Sequence, residues 1–227
     1  MNLNILVLPG DGIGTEVTRE AVRVLQHVAR KWNHALRLSE GLLGGIAIHK
    51  TGSPLPDKTA KLASEADATL MGAVGLPEFD NAPPEQRPEK GLLGIRKVLG
   101  VYANLRPVRA YPALLNSSPL KNDRVAGTDM IIVRELTGGI YYGTPRGITG
   151  DGAETRAINT MVYTRAEIER VSRMAFHLAH GRRKKVTSVD KSNVLENSQL
   201  WRRVVTEIAR DFPDVSLDHL LVDNCAM

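Results

Sequence analysis

Cysteine is nearly absent: Cys225 is alone among 227 residues, so no disulfide can form within the chain and a reducing compartment is favoured. Aromatic residues are only 4%, which leaves Val, Leu, Ile and Ala to build the core; hydrophobic residues at 42% are enough for one. The apolar run at residues 3–8 is too short for a signal peptide or a membrane span. No internal repeat and no low-complexity tract is present. The formal net charge is +5, but the basic residues are scattered and not interleaved with aromatics, and no nucleic-acid signature appears. Only Arg182-Arg183-Lys184-Lys185 forms a cluster, and a solvated helix end explains it as well as an anion patch does. The expectation is a soluble, cytoplasmic chain with no membrane and no nucleic-acid partner, long enough for one large or two modest domains.

What is present is a run of strand and helix patterns. Leu3–Leu8 reads as a buried strand. Pro9-Gly10-Asp11-Gly12-Ile13-Gly14 follows, then a helix over about Glu16–Lys31 with Val17, Ala21, Leu25, Val28 and Ala29 on one face. A strand, a glycine turn and a helix amino terminus suggest a phosphate cradle. The spacing is G-x-G-x-G, so the dinucleotide fingerprint fails in its last position. Glu40, after a strand near Leu36–Leu38, stands where a ribose-binding acid would. Gly44–Ile48 and Thr51–Pro56 read as turn-rich punctuation. Asp57 is placed to cap a helix reaching about Ala66, and Ala68–Met71 reads as another strand. This β-α-β-α-β order predicts a mostly parallel, helix-covered sheet.

A proline-rich loop, Pro77–Pro88, precedes RPEKGLLGIRK. On a helix, Glu89, Leu92, Leu93 and Arg96 share one face. Gly91 and Gly94 each cost roughly 1 kcal/mol of helix propensity, which suggests a close approach by another segment. The plain alternative is an amphipathic helix with both leucines in the core. Val101–Val108 reads as a strand carrying Arg106 into its end, and Tyr111–Val125 as a loop. Met130–Val133 is a short buried strand ending in Arg134 and Glu135, the position at which open α/β sheets place ligands. Gly138 and Gly139 force a turn, and Tyr141 and Tyr142 follow. A guanidinium, a carboxylate and a phenol so close suit an anionic substrate that must also receive a proton. A hairpin with one Tyr inside and one outside fits the same residues.

Ile148–Tyr163 is a long stretch without a helix, which usually has a job. Thr164 and Glu167 form a capping box for a helix burying Ile168, Val171, Ala175 and Leu178 and stopping at Gly181. Lys185–Val189 is a strand ending in Asp190-Lys191-Ser192-Asn193. Lys191 is either a solvated strand end or a base tuned by partial burial. Leu200, Trp201, Val204, Val205 and Ile208 mark a helix, and Val215–Val222 a last strand leading to Asp223. A domain boundary is expected near residues 100–108.

The segments LPGDGIGTEV, GGIAIHKTGSPLP, DATLMGAVGLPEFD, RPEKGLLGIRK, YANLRPV, VRELTGGIYYGTPRG, RRKKVTSVDKSNVL, LWRRVV and VDNCAM occur in this order and span nearly the whole chain. In them the chain resembles the 3-isopropylmalate dehydrogenases, a family of β-decarboxylating 2-hydroxy-acid dehydrogenases. The resemblance implies an α/β fold of two domains around a shared, mostly parallel sheet. It implies NAD-dependent oxidation of 3-isopropylmalate at C2 and loss of the C3 carboxylate, in leucine biosynthesis, by a homodimer with shared sites. Residues 1–103 would be part of the cofactor-binding domain, and 104–227 a substrate and dimerisation domain with an arm near 148–163.

The resemblance also implies roles. Arg96, Arg106 and Arg134 would hold the substrate carboxylates, and Tyr141 would protonate the enolate. Lys191 would be the base and Asp223 a Mg2+ or Mn2+ ligand, both reaching into the partner's site. Asn193 would lie near the nicotinamide. Glu89, Leu92, Leu93 and Val194 would line the pocket for the isopropyl group.

This chain departs from the family pattern at His49, Leu76 and Phe79, all outside that set. Full family members continue past VDNCAM with two further metal-binding aspartates and an adenosine loop, so the chain reads as an amino-terminal fragment. One carboxylate cannot build the near-octahedral oxygen shell of Mg2+. Two rival readings remain. One is a related enzyme acting on isocitrate, tartrate, malate or homoisocitrate; Leu92 and Leu93 argue against isocitrate, whose third carboxylate needs polar partners. The other is a catalytically inactive fragment that only dimerises.

Overall fold

The computed structural model describes residues 1–227. Contacts divide the chain into two compact units, Met1–Gly100 and Val101–Met227.

In the first unit, the alternation of apolar runs and amphipathic segments produces β1 (Asn2–Gly10), α1 (Gly14–Lys31), β2 (Ala35–Glu40), α2 (Gly45–Thr51), α3 (Asp57–Glu65), β3 (Ala68–Ala73) and α4 (Pro88–Leu99). The strands form a parallel sheet in the order β2-β1-β3. β1 is central and therefore covered on both faces, which is why Ile5, Leu6, Val7 and Leu8 are all buried instead of alternating. Leu6 and Leu8 pack with Leu43, Ala63 and Ile95, and Leu92 lies against that cluster. The segment read as turn punctuation is helix α2, because Gly44 begins it and its backbone N–H groups find a buried acceptor in Asp11. Pro56 is the residue before α3, and Asp57 lies inside its first turn without a side-chain capping bond. The expected close approach to α4 is present: a Cβ on Gly91 would lie 2.3 Å from the Pro54 carbonyl oxygen, and one on Gly94 would lie 2.9 Å from Leu55 Cδ2.

The buried face of α1 matches the expected one at Ala29, with Ala21 and Leu25 half-buried beside it, and departs from it at Val17 and Val28. Gly14, Thr18 and Ala29 are buried, whereas Val17 and Val28 are exposed with Ile13, Val24 and Trp32. The helix carries two apolar stripes; the covered one runs through Gly14, Thr18, Ala21, Val22, Leu25 and Ala29, and its small residues are the most deeply buried. Gly14 shows the reason: a Cβ there would lie 2.3 Å from the Pro9 carbonyl oxygen and 2.6 Å from the Ala73 nitrogen, so the helix sits too close to β1 and β3 for bulkier side chains.

The second unit begins with β4 (Ala103–Arg109), a short helix α5 (Asn122–Val125) after a 3-10 turn at Pro112–Ser117, and β5 (Asp129–Glu135). The stretch Tyr111–Val125 is thus more structured than a loop. Next come β6 (Arg146–Thr149), β7 (Arg156–Asn159), α6 (Arg165–His180), β8 (Lys185–Asp190), α7 (Glu196–Ala209), β9 (Ser216–Leu221) and α8 (Val222–Ala226). β4 pairs with β5 and β6 with β7, both antiparallel, while β8 and β9 are parallel. The strands therefore form four small sheets, each within one unit.

Both halves of the Thr164–Glu167 capping box are present at α6, an arrangement worth about 1 kcal/mol. α6 and α7 close over a core of Ile168, Phe176, Ala179, Val204, Val205, Ile208 and Val215. Phe176 is fully buried, and Phe212 stacks on it at 5.1 Å between ring centres. Ala175 and Leu178 are only half-buried; the fully buried positions of that turn are Ser172, Phe176 and Ala179. The stretch 148–163 holds most of the β6–β7 hairpin, which begins two residues earlier at Arg146 and whose strand residues are all exposed, Ile148 by 75%.

Candidate active site

The glycine turn after β1 is not an open phosphate cradle. The Gly14 N–H donates to the Asp11 carbonyl at 2.8 Å, and those of Thr15 and Glu16 to Gly12 and Ile13, so the first donors of α1 are already used. Asp11 is buried, and its carboxylate accepts from Gly45, Ile46 and Gly75. A fixed negative charge at this turn disfavours phosphate. Gly10 and Gly14 serve close backbone packing instead, and Gly12 supplies a φ of +48° for the turn. Glu40 ends β2 beside Val7 and is exposed.

Along α4, Glu89 is exposed, and Leu92, Leu93 and Arg96 are half-buried on the same helical face. Leu92 packs partly against the core of its unit, so the functional and the core readings of that residue overlap. His49, Leu76 and Phe79, the three departures from the family pattern, are neighbours. His49 Nε2 is 2.7 Å from Glu78, its ring is 5.4 Å from that of Phe79, and Leu76 and Phe79 both crowd Gly45.

In the second unit, Arg106 lies in the middle of β4 and not at its end, directly opposite Ile132. Asn104 is opposite Arg134. Residues two apart on a strand and opposite on its partner share a face, so Arg106, Asn104 and Arg134 project together. The Arg106 Nε donates to Asn104 Oδ1 at 3.0 Å. Ile132 and Met130 on that face are also exposed, so the arginines stand on an open surface of the unit. Sequence reasoning passed over Asn104, although the period-two pattern of β4 points to it.

After β5 the chain turns through Gly139, whose φ of +79° suits glycine and whose Cβ position is taken by the Tyr163 hydroxyl, 2.5 Å away. The turn places the Tyr141 ring under the Arg134 guanidinium at 5.6 Å. Tyr141 is 53% exposed, while Tyr142 is half-buried. Burial first, then the negative charge of Glu135, pushes the Tyr163 phenol above its ordinary value, so Tyr163 stays protonated and acts as a support for the turn.

Lys191 follows β8. Its Nζ donates to Asp223 Oδ1 at 2.7 Å. That bond holds the Asp223 carboxyl below the usual carboxylate range. The preceding residue, Asp190, is buried and takes a two-pronged hydrogen bond from Arg202 at 2.9 Å and another from the Ser192 N–H. Burial pushes its carboxyl up, and these donors outweigh burial and leave it lowered. Asn193 and Val194 are exposed just beyond. No group of three His, Cys, Asp or Glu side chains is arranged to hold a metal ion. Asp223 has a lysine as its neighbour, so the residues present do not fit a Mg2+ or Mn2+ centre. No helix is long and apolar enough to cross a membrane.

Residues 4–227 match the family model described as isocitrate/isopropylmalate dehydrogenase. The chain is 58% identical over its full length to a 3-isopropylmalate dehydrogenase of Geobacillus kaustophilus and 56% identical over 98% of its length to one of Aquifex aeolicus; it spans 61% of each. Its fold is similar to that of an isocitrate dehydrogenase from Methylococcus capsulatus, with a TM-score of 0.84 at 29% identity, over 99% of this chain and 62% of that one. The chain thus spans about three fifths of the length of the relatives it matches, and it belongs to the isocitrate/isopropylmalate dehydrogenase family.

Proposed function

We propose that this chain carries substrate-binding and proton-transfer residues of an NAD-dependent dehydrogenase that oxidatively decarboxylates 3-isopropylmalate to 4-methyl-2-oxopentanoate in leucine biosynthesis. The observation that carries this reading is the shared open face of Arg106 and Arg134 with Tyr141 beside them. Two guanidiniums on one surface suit a dicarboxylate, and each can grip a carboxylate through two parallel N–H groups. A phenol held against one of them lies where a proton is needed as charge redistributes.

In this reading, Arg96, Arg106 and Arg134 bind the carboxylates. Lys191 removes the C2 hydroxyl proton, and Tyr141 returns a proton to carbon after CO2 leaves. Glu89, Leu92, Leu93 and Val194 receive the isopropyl group, and the apolar step on α4 favours it over a third carboxylate. Bound NAD would take the hydride from C2, with Asn193 offering an exposed amide beside it. Asp223 is the residue assigned to the metal, but its surroundings here do not complete a metal site, and no step is derived through one. Residues 1–103 serve the cofactor and 104–227 the substrate and dimer contact. The exposed β6–β7 hairpin is the arm toward a second copy. The compartment proposed is the cytoplasm.

The test is NADH formation with 3-isopropylmalate and Mn2+. The chain completed by the carboxyl-terminal part of the Geobacillus kaustophilus relative is expected to turn over. The 227-residue chain alone is expected not to, because it lacks a carboxylate cluster for the metal. Metal-dependent turnover by a demonstrably intact 227-residue species would falsify the division of the site proposed here. An inert completed chain would count against the activity itself, provided size measurement shows it to be folded and dimeric.

A further inference from the structure

Glu135 is the least expected group near this site: a carboxylate whose side chain is only 2% exposed, at the end of β5, next to Arg134. Buried carboxylates are costly unless fully hydrogen-bonded and paired, and this one is both. Its oxygens accept from the Thr137 N–H at 2.9 Å, the Thr137 hydroxyl at 2.6 Å and the Gly138 N–H at 2.8 Å. The Arg170 guanidinium stands 3.6 Å away as counter-charge and also donates to the Thr137 hydroxyl oxygen. Arg170 in turn stacks over the Tyr102 ring at 5.0 Å, and the Tyr102 carbonyl accepts from the Leu136 N–H at 2.9 Å. The ring of contacts closes on the turn from both strands.

We propose that Glu135 is a positioning residue: its carboxylate fixes the 137–139 turn and so sets the Tyr141 phenol against Arg134. This rests on the reading that Tyr141 and Arg134 act on the substrate. Tyr141 is more than half exposed, so its place is set by its backbone and by Arg134 and not by a surrounding pocket. From the far side the same turn is held by the Gly139 N–H, which donates to the Val162 carbonyl at 2.7 Å, and by Tyr163. The carboxylate is the buried anionic clamp and is acceptor-only, matching the three donors aimed at it, while Arg170 holds the Thr137 hydroxyl and Arg146 donates to the Tyr141 carbonyl. Glutamine keeps the shape but presents an NH2 to one of those donors and leaves Arg170 without its counter-charge.

The experiment has two arms. In the 227-residue chain, Glu135→Gln should quicken amide hydrogen exchange at Thr137 and Gly138 by about tenfold, the scale of one lost hydrogen bond. In the completed enzyme it should lower kcat by about 10- to 100-fold, the effect of a displaced catalytic group, with KM for 3-isopropylmalate little changed. Glu135→Gln combined with Tyr141→Phe should be no slower than Tyr141→Phe alone, because the glutamate acts through the phenol. Unchanged exchange overturns the clamp; losses that multiply in the double variant overturn the link to Tyr141. If Tyr141→Phe keeps full activity, the reading of Tyr141 fails instead, while the exchange result still decides the clamp. Should Glu135→Gln not fold, Thr137→Val removes the hydroxyl shared by Glu135 and Arg170 and carries the same comparison.

Discussion

Lys191 and Asp223 are joined by a 2.7 Å hydrogen bond within one chain. The two residues follow the carboxyl ends of the neighbouring parallel strands β8 and β9, and the register Asp190↔Leu221 brings those ends level. The bond has a direct consequence for titration. Replacing Lys191 with Met should raise the Asp223 carboxyl toward its ordinary value, read by NMR titration of that side chain. The thermal midpoint should hardly move, since the Asp223 carboxylate is exposed and the lysine is only half-buried. An unchanged Asp223 titration would mean that the pair does not persist in solution.

Substrate choice is expected to reside on α4, and Leu93 is the cleaner probe. Leu92 packs against the core of its unit, so Leu92→Ser should lower stability as well as selectivity. Leu93→Asn in the completed enzyme should reduce kcat/KM for 3-isopropylmalate more than for malate, by about 1 to 3 kcal/mol of discrimination. Equal losses for the branched and unbranched substrates would sink the pocket assignment.

Tyr141→Phe should separate the two halves of the reaction. The ring and its contact with Arg134 remain, and only the hydroxyl is lost. Single-turnover hydride transfer is expected to stay near its original rate while release of the keto acid slows by about 100-fold or more, the usual share of a general acid. If both steps fell together, the phenol would not be a late proton donor.

His219 predicts a pH dependence of stability. The Thr206 hydroxyl donates to the Arg202 carbonyl and so accepts from His219 Nε2. Nδ1 then lies buried without a partner. Burial first, and then the nearby Arg202 charge, hold the imidazole below its ordinary 6.5. A base with a lowered folded pKa stabilises the fold above its unfolded pKa, and that contribution is lost as pH falls through the folded value. The thermal midpoint should therefore drop between about pH 7 and pH 5, and His219→Gln should flatten that slope. A slope unaltered by the substitution would assign the effect to another group.

The arginines at 96, 106 and 134 took their carboxylate-binding role from the family resemblance and not from periodicity. Most of the element order and the capping box of α6 were legible in the sequence, because periodicity and capping are local properties. So was the close approach at Gly91 and Gly94, since glycine in a helix needs a reason. Three features were not. The sequence shows that α1 carries apolar residues, but not which of its two stripes the sheet covers; the tight fit of Gly14 and Thr18 against β1 and β3 decided that. Local spacing made the Gly10–Gly14 turn resemble a phosphate cradle, whereas the distant segments at Gly45 and Gly75 converge on the Asp11 carboxylate. The partners of Glu135, Asp190 and Lys191 depend on strand register and helix packing over 12 to 35 residues of separation. A residue's type and its near neighbours set what it can donate or accept. Only the packed chain selects which distant group meets it, because burial makes an unpaired polar group too costly to leave alone.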